Sequence, residues 1–349
     1  MVSFARMNHL DLRTAVRGLL VLGLASTAAC LDAPGDDVGE TASELSATDA
    51  SQRAQLALRW APVHYQDVDQ TGGHALGGAA DYITAYDYDG DLNGRNNWDN
   101  AGNAAFPLSA HAYYSVVETP SHWFLVYLFF HPRDWSDSFF EFDTEHENDA
   151  EGVMFAVQRD GSTFGKMQAA VTVFHKDFFS FTPSDSTWTS NAETVDGTLS
   201  MQALGDGTHP QTAQQAKGHG LKARPYVDIN GDGVVYFPSL TTAGVPTGPN
   251  DRNVAYQLVD ILAPGGMWDQ RNNATLFASF GTFAGDNTGG CGSGTLGCDT
   301  NAANTPWGWD DQDDLPGRGA LASDPAGLAA NYFKAPEGID TSYTFNPFR

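Results

Sequence analysis

The stretch that decides the fold runs from His122 to Val157 and contains two apolar segments separated by a polar one. The first apolar segment is Trp123-Phe-Leu-Val-Tyr-Leu-Phe-Phe130, and the second is Val153-Met-Phe-Ala-Val157. Apolar runs of this length, rich in aromatic and β-branched residues and bounded by polar ones, are typical of buried strands. The sequence therefore predicts two neighbouring strands, with the polar residues between them gathered at one end of the pair.

Four polar residues at that end have the chemistry of metal ligands. Asp134 follows the first apolar segment, and His146, Asp149 and Glu151 precede the second. In an extended strand, residues two positions apart share a face, so Asp149 and Glu151 are expected to point the same way. Carboxylate oxygens with one imidazole suit a divalent cation, and oxygen-rich sites favour Ca²⁺ or Mg²⁺. We therefore predict a metal site formed by Asp134, His146, Asp149 and Glu151.

Two further segments place side-chain oxygens at alternate positions, a spacing that lets a tight loop surround one calcium ion. Neither segment is a complete EF-hand, because the twelfth position, which should be Glu, is Trp98 in one and Ser239 in the other. An acidic turn is the alternative for the first segment, and a hairpin turn is the alternative for the second. The predicted loop ligands are Asp87, Asp89, Asp91 and Asn93 in the first segment, and Asp228, Asn230 and Asp232 in the second.

The charge balance limits the possible partners. Acidic residues outnumber basic ones by 43 to 18, which gives a net charge of -25. This charge argues against nucleic acid, because phosphate binding depends on Lys and Arg, and it opposes attraction to anionic lipid surfaces. It fits an extracytoplasmic protein that holds cations. The alternative is that the acidity only keeps the protein soluble.

The N-terminus predicts export. Basic residues up to Arg17 precede a short apolar segment, Gly18–Leu24, which is too short to cross a bilayer and is typical of a signal peptide. The next residues, Ala25-Ser-Thr-Ala-Ala-Cys30, resemble a bacterial lipobox, so Cys30 is the predicted lipidation site. Ordinary cleavage shortly before Cys30 is the alternative. A lipid at Cys30 would be the predicted contact with a membrane.

The remaining cysteines and the composition suggest the domain organisation. Cys291 and Cys298 flank a Gly-rich loop and are predicted to form a local disulfide in an oxidising compartment. Residues 1–29 are interpreted as a signal peptide of the lipoprotein type. Residues 30–55, which lack aromatic side chains up to position 54, are interpreted as a flexible tether. Residues 56–349 are predicted to form one domain.

The pattern after Trp60 favours a mainly β fold. Short apolar runs alternate with Gly, Asn, Asp and Pro, and helical periodicity is scarce. Two short helices are predicted, near Ser51–Ala57 and Pro325–Tyr332, with Asp324 as a cap for the second. Many short strands with turn-rich links predict an antiparallel β-sandwich, distorted and jelly-roll-like, with long loops and few short helices; a distorted barrel is the alternative.

Several common catalytic motifs are absent from the sequence. His146 and Glu147 begin like the zinc-protease motif His-Glu-x-x-His, but Ala150 occupies the place of the second histidine. The sequence contains no Gly-x-Ser-x-Gly elbow and no phosphate-binding loop. His175 and His219 are further candidates for ligands or acid–base groups.

The central stretch resembles the necrosis- and ethylene-inducing protein (NPP1) family. That family has a strand ending in a Pro-basic-Asp segment and then a His-x-His-Asp-Trp-Glu motif. The similar segments here are Pro132-Arg-Asp134 and His146-Glu-Asn-Asp-Ala-Glu151, in which Asn148 and Ala150 depart from the family pattern. The resemblance implies a β-sandwich with a divalent cation at one end, bound by Asp134, His146, Asp149 and Glu151.

A wider pattern is similar to the Vps62-related family of uncharacterised proteins. The segments that carry this resemblance are Asp87–Trp98, Tyr113–Ser115, Phe130–Trp135 and His146–Asp149. It would span most of residues 60–340, and it implies no known reaction.

The sequence thus predicts an exported protein, either a lipoprotein of the bacterial cell envelope or a secreted protein. It would bind Ca²⁺ or Mg²⁺ and, with the ion, a polar glycan or a lipid headgroup. The first alternative is a metal-dependent hydrolase of a glycan or phosphodiester, in which His131 or His175 moves protons. The second is a purely structural surface protein.

Overall fold

Strands dominate the chain that the computed structural model describes, which comprises residues 48–136, 145–205, 207–286, 291 and 301–349. The mainly β class, with few short helices, is confirmed. In chain order the strands are β1 (Val63–Asp67), β2 (His111–Glu118), β3 (His122–Asp134), β4 (His146–Gln158), β5 (Lys166–Phe174), β6 (Asp177–Thr182), β7 (Thr189–Ser190), β8 (Gly197–Thr198), β9 (Met201–Leu204), β10 (Gly207–Gln214), β11 (Leu221–Ala223), β12 (Gly233–Ser239), β13 (Val254–Asp260), β14 (Phe277–Ser279), β15 (Thr282–Ala284), β16 (Asn301–Asn304) and β17 (Phe333–Lys334).

The helices are short, and none in the described part of the chain is long and apolar enough to cross a membrane. They are α1 (Ala50–Trp60), α2 (Asn97–Asn100), α3 (Ala320–Ser323) and α4 (Pro325–Tyr332), with a 3₁₀ helix at Leu76–Asp81. Helix α1 begins at Ala50, where the Asp49 side chain accepts a hydrogen bond from the backbone of Gln52 at 2.8 Å. Helical structure therefore starts before residue 56, the first residue of the predicted domain.

Helix α4 forms where it was predicted, but Asp324 does not cap it through its side chain. The Asp324 carboxylate instead accepts a hydrogen bond from the Tyr343 hydroxyl at 2.7 Å and lies 2.8 Å from the Arg349 guanidinium. Two partners from the C-terminal segment therefore take the carboxylate away from the first turn of the helix.

Twelve of the described strands form one large mixed sheet, which corrects the prediction of an antiparallel sandwich, while β14, β15 and β16 form a small separate sheet and β7 pairs with β17. The twelve-stranded sheet has the order β11-β10-β1-β12-β13-β2-β3-β4-β5-β6-β8, and β9 pairs with β10 outside this path. The pairs β1·β10, β12·β13, β2·β13 and β6·β8 are parallel, and the others on this path are antiparallel. The sheet curls, since β11 packs beside β5 although they lie far apart in this order. Strand direction depends on connections between distant segments, and local patterns do not carry that information.

Strands β3 and β4 lie inside the sheet, between β2 and β5, and pair along almost their whole length. Alternate residues of β3 belong to two different apolar clusters. Because both faces are covered, the apolar run is uninterrupted instead of alternating with polar residues. The side chains on the outer face are Phe124, Val126, Leu128 and Phe130, and those on the inner face are Trp123, Leu125, Tyr127 and Phe129.

Different elements cover the two faces. The inner face packs against α1 and against aromatic residues of the curled sheet, such as Tyr236 on β12 and Tyr256 on β13. The outer face packs against β15, α3 and α4, through residues such as Phe283 and Leu328. This packing fixes both strands and leaves the end that carries Asp134 and His146 beside a cavity.

Candidate functional site

The four residues predicted as metal ligands line one cavity at the end of β3 and β4. Asp134 is the last residue of β3 and lies opposite His146, the first residue of β4. Asp149 and Glu151 lie on the same face of β4, separated by Ala150. The cavity has a volume of about 680 Å³. Its wall also includes Trp135, Ser136, Val173, His175, Lys176, Lys217, Gly218, Ala302, Ala303, Asn304, Trp309, Asp310 and Gln312.

Asp134 and His146 form a pair at this cavity. The Nε2 atom of His146 lies 3.4 Å from Oδ2 of Asp134, and its Nδ1 atom lies 3.1 Å from the carbonyl oxygen of Glu147. A carbonyl can only accept, so Nδ1 carries a proton and Nε2 faces Asp134. Burial raises the pKa of Asp134 to about 7; His146 opposes this rise, and Asp149 adds to it.

Glu151 is held by backbone groups from two neighbouring segments. Its Oε1 atom accepts a hydrogen bond from the His175 backbone at 2.7 Å, and its Oε2 atom accepts one from the Leu221 backbone at 3.0 Å. The His175 ring nitrogen Nδ1 lies 3.4 Å from Oε1. Burial raises the pKa of Glu151 to about 8, and the charge of Asp149 contributes to the rise. Holding these carboxyl groups in their ionised form inside the cavity therefore costs substantial electrostatic free energy.

Asp149 contacts a buried histidine that links it to a second aspartate. The Nδ1 atom of His219 lies 2.8 Å from Oδ2 of Asp149, and its Nε2 atom lies 3.3 Å from Oδ1 of Asp81. Burial alone would lower the pKa of His219, but the two carboxylates outweigh it and raise the pKa to about 10. The same contact outweighs burial at Asp149 and lowers its pKa. His219 is therefore an imidazolium at neutral pH.

His131 lies behind this triad. Its Nε2 atom is 3.2 Å from Oε1 of Gln214, whose amide nitrogen donates to the His219 carbonyl at 2.6 Å. Burial, together with the charge of His219, lowers the pKa of His131 well below its usual value. His131 therefore stays neutral, and it does not line the cavity.

Backbone strain is concentrated at this site. Among the described residues, Leu76, Asn148, His175, Lys217 and His219 are the non-glycine residues with positive φ. All except Leu76 belong to the cavity wall or lie within two residues of a wall residue. Such conformations cost on the order of 1–3 kcal/mol each and tend to occur where function requires them.

The first predicted calcium loop lies away from this cavity and is stabilised by hydrogen bonds among its own residues. Oδ1 of Asp89 accepts a hydrogen bond from the Asp91 backbone at 3.2 Å, and Oδ1 of Asp91 accepts one from the Asn93 backbone at 2.8 Å. The Asn100 amide also donates to Asp89 at 2.7 Å. Asp87, Asp89, Asp91 and Asn93 line no part of the cavity at Asp134. Calcium binding by this loop stays a prediction.

The second predicted calcium loop lines a different cavity of about 890 Å³. Its residues Asp228, Asn230 and Asp232 face that cavity, and the Asp232 carboxylate accepts hydrogen bonds from the side-chain amides of Gln70 and Asn250. The segment is not a hairpin turn, because β11 pairs with β10 whereas β12 pairs with β1 and β13. Calcium binding here also stays a prediction.

Close clusters of possible ligand atoms are rare in the described residues. Only Asp177, Asp311 and Asp313 bring three such atoms within 4.8 Å of one another. The predicted ligands Asp134, His146, Asp149 and Glu151 share a cavity but not that spacing. An ion bound among them would therefore need side-chain movement, or water molecules as additional ligands.

The cysteine predictions fall partly outside the described residues. Cys291 is buried and disulfide-bonded. Its predicted partner Cys298 and the predicted lipidation site Cys30 lie outside the described residues, so the pairing and the lipid stay predictions.

Asp81 is not among the residues predicted from the sequence, and His219 is predicted only as a candidate ligand or acid–base group. Asp81 ends the 3₁₀ helix, and His219 lies between β10 and β11, so both are distant in sequence from the central motif. A spacing argument cannot bring such segments together.

Comparisons with known proteins give a likeness in structure only. No family model matches the chain, and no curated protein matches it. One similar solved structure is described as a toxin fold for microbial attack and plant defense; it is 14% identical, has a TM-score of 0.36, and the match covers 75% of this chain and 88% of that chain. Another, NLPPya in complex with glucosamine, is 14% identical with a TM-score of 0.34 and coverages of 75% and 87%.

A third similar structure is Necrosis and Ethylene inducing Protein 2 from the causal agent of cocoa's Witches Broom disease. It is 15% identical, with a TM-score of 0.31 and coverages of 65% and 79%. The structural neighbours thus include the family that the central motif resembles, at low sequence identity. The resemblance to the Vps62-related family stays a prediction.

Proposed function

We propose that this chain binds Ca²⁺ or Mg²⁺ in the cavity at the end of β3 and β4, and that the bound ion helps to hold a glycan or a lipid headgroup. One observation carries the proposal. Two paired strands bring the side chains of Asp134, His146, Asp149 and Glu151 to the wall of a single cavity. Oxygen-rich ligand sets with one imidazole suit these ions.

The electrostatics of the cavity support a cation. Burial raises the pKa values of Asp134 and Glu151 to about 7 and about 8, and the charge of Asp149 adds to both shifts. A divalent ion would favour the ionised form of all three carboxyls and would lower these pKa values. Binding is therefore expected to release protons and to strengthen as the pH rises.

Hydrogen bonds hold the side chains of His146, Asp149 and Glu151 in defined orientations, as ion binding requires. His146 is fixed through Nδ1 by the Glu147 carbonyl. Asp149 accepts a hydrogen bond from the Ala150 backbone at 2.8 Å, and Glu151 accepts two from backbone amides. Hydrogen bonds of this kind orient ligand side chains and raise metal affinity.

The remaining volume suits a hydroxyl-rich ligand. Cavities of roughly 300–1,000 Å³ are the usual size for small-molecule sites, and this one has about 680 Å³. Asn304, Gln312 and Lys217, whose side chains carry amide and ammonium groups, also line its wall. Such groups donate and accept hydrogen bonds to hydroxyls. If the predicted export and the lipid at Cys30 hold, the cavity would face the outside of the cytoplasmic membrane.

Calcium titration calorimetry and thermal unfolding test the cation proposal. We expect one cavity-bound ion, a higher Tm in calcium than in EDTA, and a large loss of affinity in Asp134→Asn. Asp310→Asn is the matched control, because Asp310 lines the same cavity and loses the same charge but is not a proposed ligand. Equal calcium affinity in the wild-type protein and Asp134→Asn would refute the site.

Binding to a glycan array and to liposomes tests the ligand. We expect binding in calcium that EDTA abolishes, and that Asp134→Asn weakens more than Asp310→Asn does. If neither EDTA nor Asp134→Asn changes the binding of the glycan or the liposomes, the ion does not help to hold the ligand, and the proposal is contradicted.

A hydrolase is the second candidate, because His175 contacts Glu151 at the cavity wall. A carboxyl group with a pKa of about 8 and a neighbouring imidazole can exchange protons near neutral pH. Turnover of phosphodiester or glycoside substrates that is lost in His175→Gln, with cation affinity retained, would favour this candidate. No turnover over the whole panel would favour the binding protein.

A further inference from the structure

We infer that His219 and Asp81 are positioning residues for the cation site: His219 orients the Asp149 carboxylate, and Asp81 holds His219. The inference rests on the proposed function, since it assigns a role toward the same ion. It adds two residues that line no part of the cavity, and among the proposed ligands His219 contacts Asp149.

The Asp149 carboxylate is fixed at both oxygens. Oδ2 lies 2.8 Å from Nδ1 of His219, and Oδ1 accepts a hydrogen bond from the Ala150 backbone at 2.8 Å. The carboxylate cannot rotate about its last bond without losing both contacts. Each oxygen keeps a further lone pair, so the group can still serve as a ligand in this orientation.

His219 is in turn fixed on its other side. Its Nε2 atom faces Oδ1 of Asp81 at 3.3 Å, and both side chains are fully buried. Asp81 accepts hydrogen bonds from the Trp135 indole at 2.8 Å, from the Lys217 backbone at 2.8 Å, and from the Asp69 backbone at 2.8 Å. A shift of His219 would therefore disturb two other segments of the chain, those that carry Trp135 and Asp69.

The backbone is bent to place this histidine. Lys217 and His219 have φ values of 73° and 51°, and Gly218 lies between them. A Cβ atom at Gly218 would come within 2.9 Å of the His175 ring, so a larger residue there would displace that ring. Such strain is retained where the surrounding structure or the function requires it.

Stability alone is a weak reason for this arrangement. A buried set of charges often contributes little compared with apolar residues of the same volume. Orienting a ligand is the recognised use of a charged partner behind a metal site, and losing it typically weakens metal affinity by roughly 10–100-fold.

His131 provides the matched control. Its ring is fully buried and stacks on the ring of His219. Its backbone pairs with that of Asp149 across β3 and β4, but its Nε2 atom lies against Gln214 and not against the Asp149 carboxylate. The other groups that act on it are the Tyr82 backbone and, at longer range, His64. Replacing either histidine removes one buried imidazole, so the two variants differ in the hydrogen bond to the Asp149 carboxylate.

The test measures calcium affinity by calorimetry and ion-free stability by urea unfolding in EDTA. We expect His219→Leu to weaken calcium binding by about tenfold or more. His219→Asn should recover much of the affinity, because its amide can donate in place of Nδ1. His131→Leu should lower ion-free stability and leave the calcium Kd unchanged. Asp81→Asn, which keeps the shape, should weaken binding in the same direction and serves if His219→Leu does not fold.

The outcomes separate this inference from the proposed function. Calcium binding by the wild-type protein with the same Kd in His219→Leu and Asp81→Asn overturns the positioning role alone. Loss of affinity in His131→Leu equal to that in His219→Leu overturns it as well, because the effect would then be structural. A wild-type protein that binds no calcium overturns both.

Discussion

The imidazole ring of His131 lies parallel to that of His219, with ring centroids 3.7 Å apart and an angle of 4° between the planes. One ring is charged and the other is neutral. The carboxylates of Asp149 and Asp81 raise the pKa of His219 to about 10, whereas burial and the charge of His219 lower the pKa of His131. Two stacked imidazoles at this distance cannot both be protonated without strong repulsion, so the acids on one side decide which ring carries the proton.

A third buried histidine, His64, is expected to make the free energy of unfolding depend measurably on pH. Burial lowers the pKa of His64 to about 3, below its usual value of 6.5. The unfolded chain therefore binds a proton that the folded chain excludes, so the free energy of unfolding falls as the pH drops from 6.5 towards 3. The slope from this group reaches at most about 1.4 kcal/mol per pH unit.

Urea unfolding of the wild-type protein and His64→Gln between pH 7 and pH 4.5 checks this effect. The variant should show the shallower loss of stability on acidification. Asp134 and Glu151 have raised pKa values and act in the opposite direction, but they are present in both proteins and cancel in the comparison. Parallel curves would show that His64 takes up a proton as readily in the folded protein as in the unfolded chain.

Adding a side chain at Gly152 is expected to cause a severe steric clash close to the site. A Cβ atom there would lie 2.0 Å from the Tyr127 carbonyl oxygen and 2.6 Å from the Trp309 ring. Gly152→Ala should therefore destabilise the protein by about 1–3 kcal/mol or more, as overpacking does. Gly248→Ala is the control, because nothing lies within 4 Å of its Cβ position. Urea unfolding should show the loss in the first variant only.

Glu118 is expected to be important for joining α1 to the sheet. Its carboxylate is fully buried, accepts a hydrogen bond from the Thr48 hydroxyl at 2.7 Å, and lies 3.9 Å from Arg53 and 4.0 Å from Arg159. Glu118→Gln should cost about 2–4 kcal/mol, because breaking a buried charged network leaves its partners uncompensated. We expect the loss in urea unfolding.

The matched control for Glu118 is an exposed ion pair. Asp185 lies 3.6 Å from Lys166, and its side chain is 72% exposed. Asp185→Asn should change stability by less than about 1 kcal/mol, since solvent screens such pairs. Equal losses in the two variants would contradict the role given to Glu118.

The loop around Asp91 yields a prediction about calcium. Asp91 accepts hydrogen bonds from the Asn93 backbone and from the Asn96 side chain at 3.0 Å. If these bonds suffice to hold the loop, Asp91→Ala should lower the free energy of unfolding by about 1 kcal/mol, equally in calcium and in EDTA. A larger loss in calcium than in EDTA would instead support the loop as a calcium site.

Part of the site could be predicted from the sequence, because it lies within one strand pair. Asp149 and Glu151 share a face by strand alternation, and Asp134 meets His146 because β3 and β4 pair in antiparallel register. The Asp81–His219 contact joins a 3₁₀ helix to the segment between β10 and β11. Its position depends on the parallel pairing of β1 with β10, and no local pattern specifies that pairing.

The same limit explains the error in the fold. The apolar run Trp123–Phe130 correctly predicts a strand, but a run buried on both faces does not distinguish a sandwich from one curled sheet. In this chain the inner face packs against strands of the same sheet, such as β12 with Tyr236, and the outer face packs against helices and a small separate sheet. Strands and helices far from Trp123–Phe130 in the sequence decide whether a sandwich or a single curled sheet forms.

The double covering of β3 and β4 has a kinetic consequence. Backbone amides that are shielded on both sides open only in the rarest fluctuations, so this pair should exchange hydrogen for deuterium more slowly than the rest of the chain. Asp149 and Glu151 belong to this slowly exchanging strand pair. The acidic wall of the cavity is therefore expected to keep its geometry while less protected parts of the chain open and close.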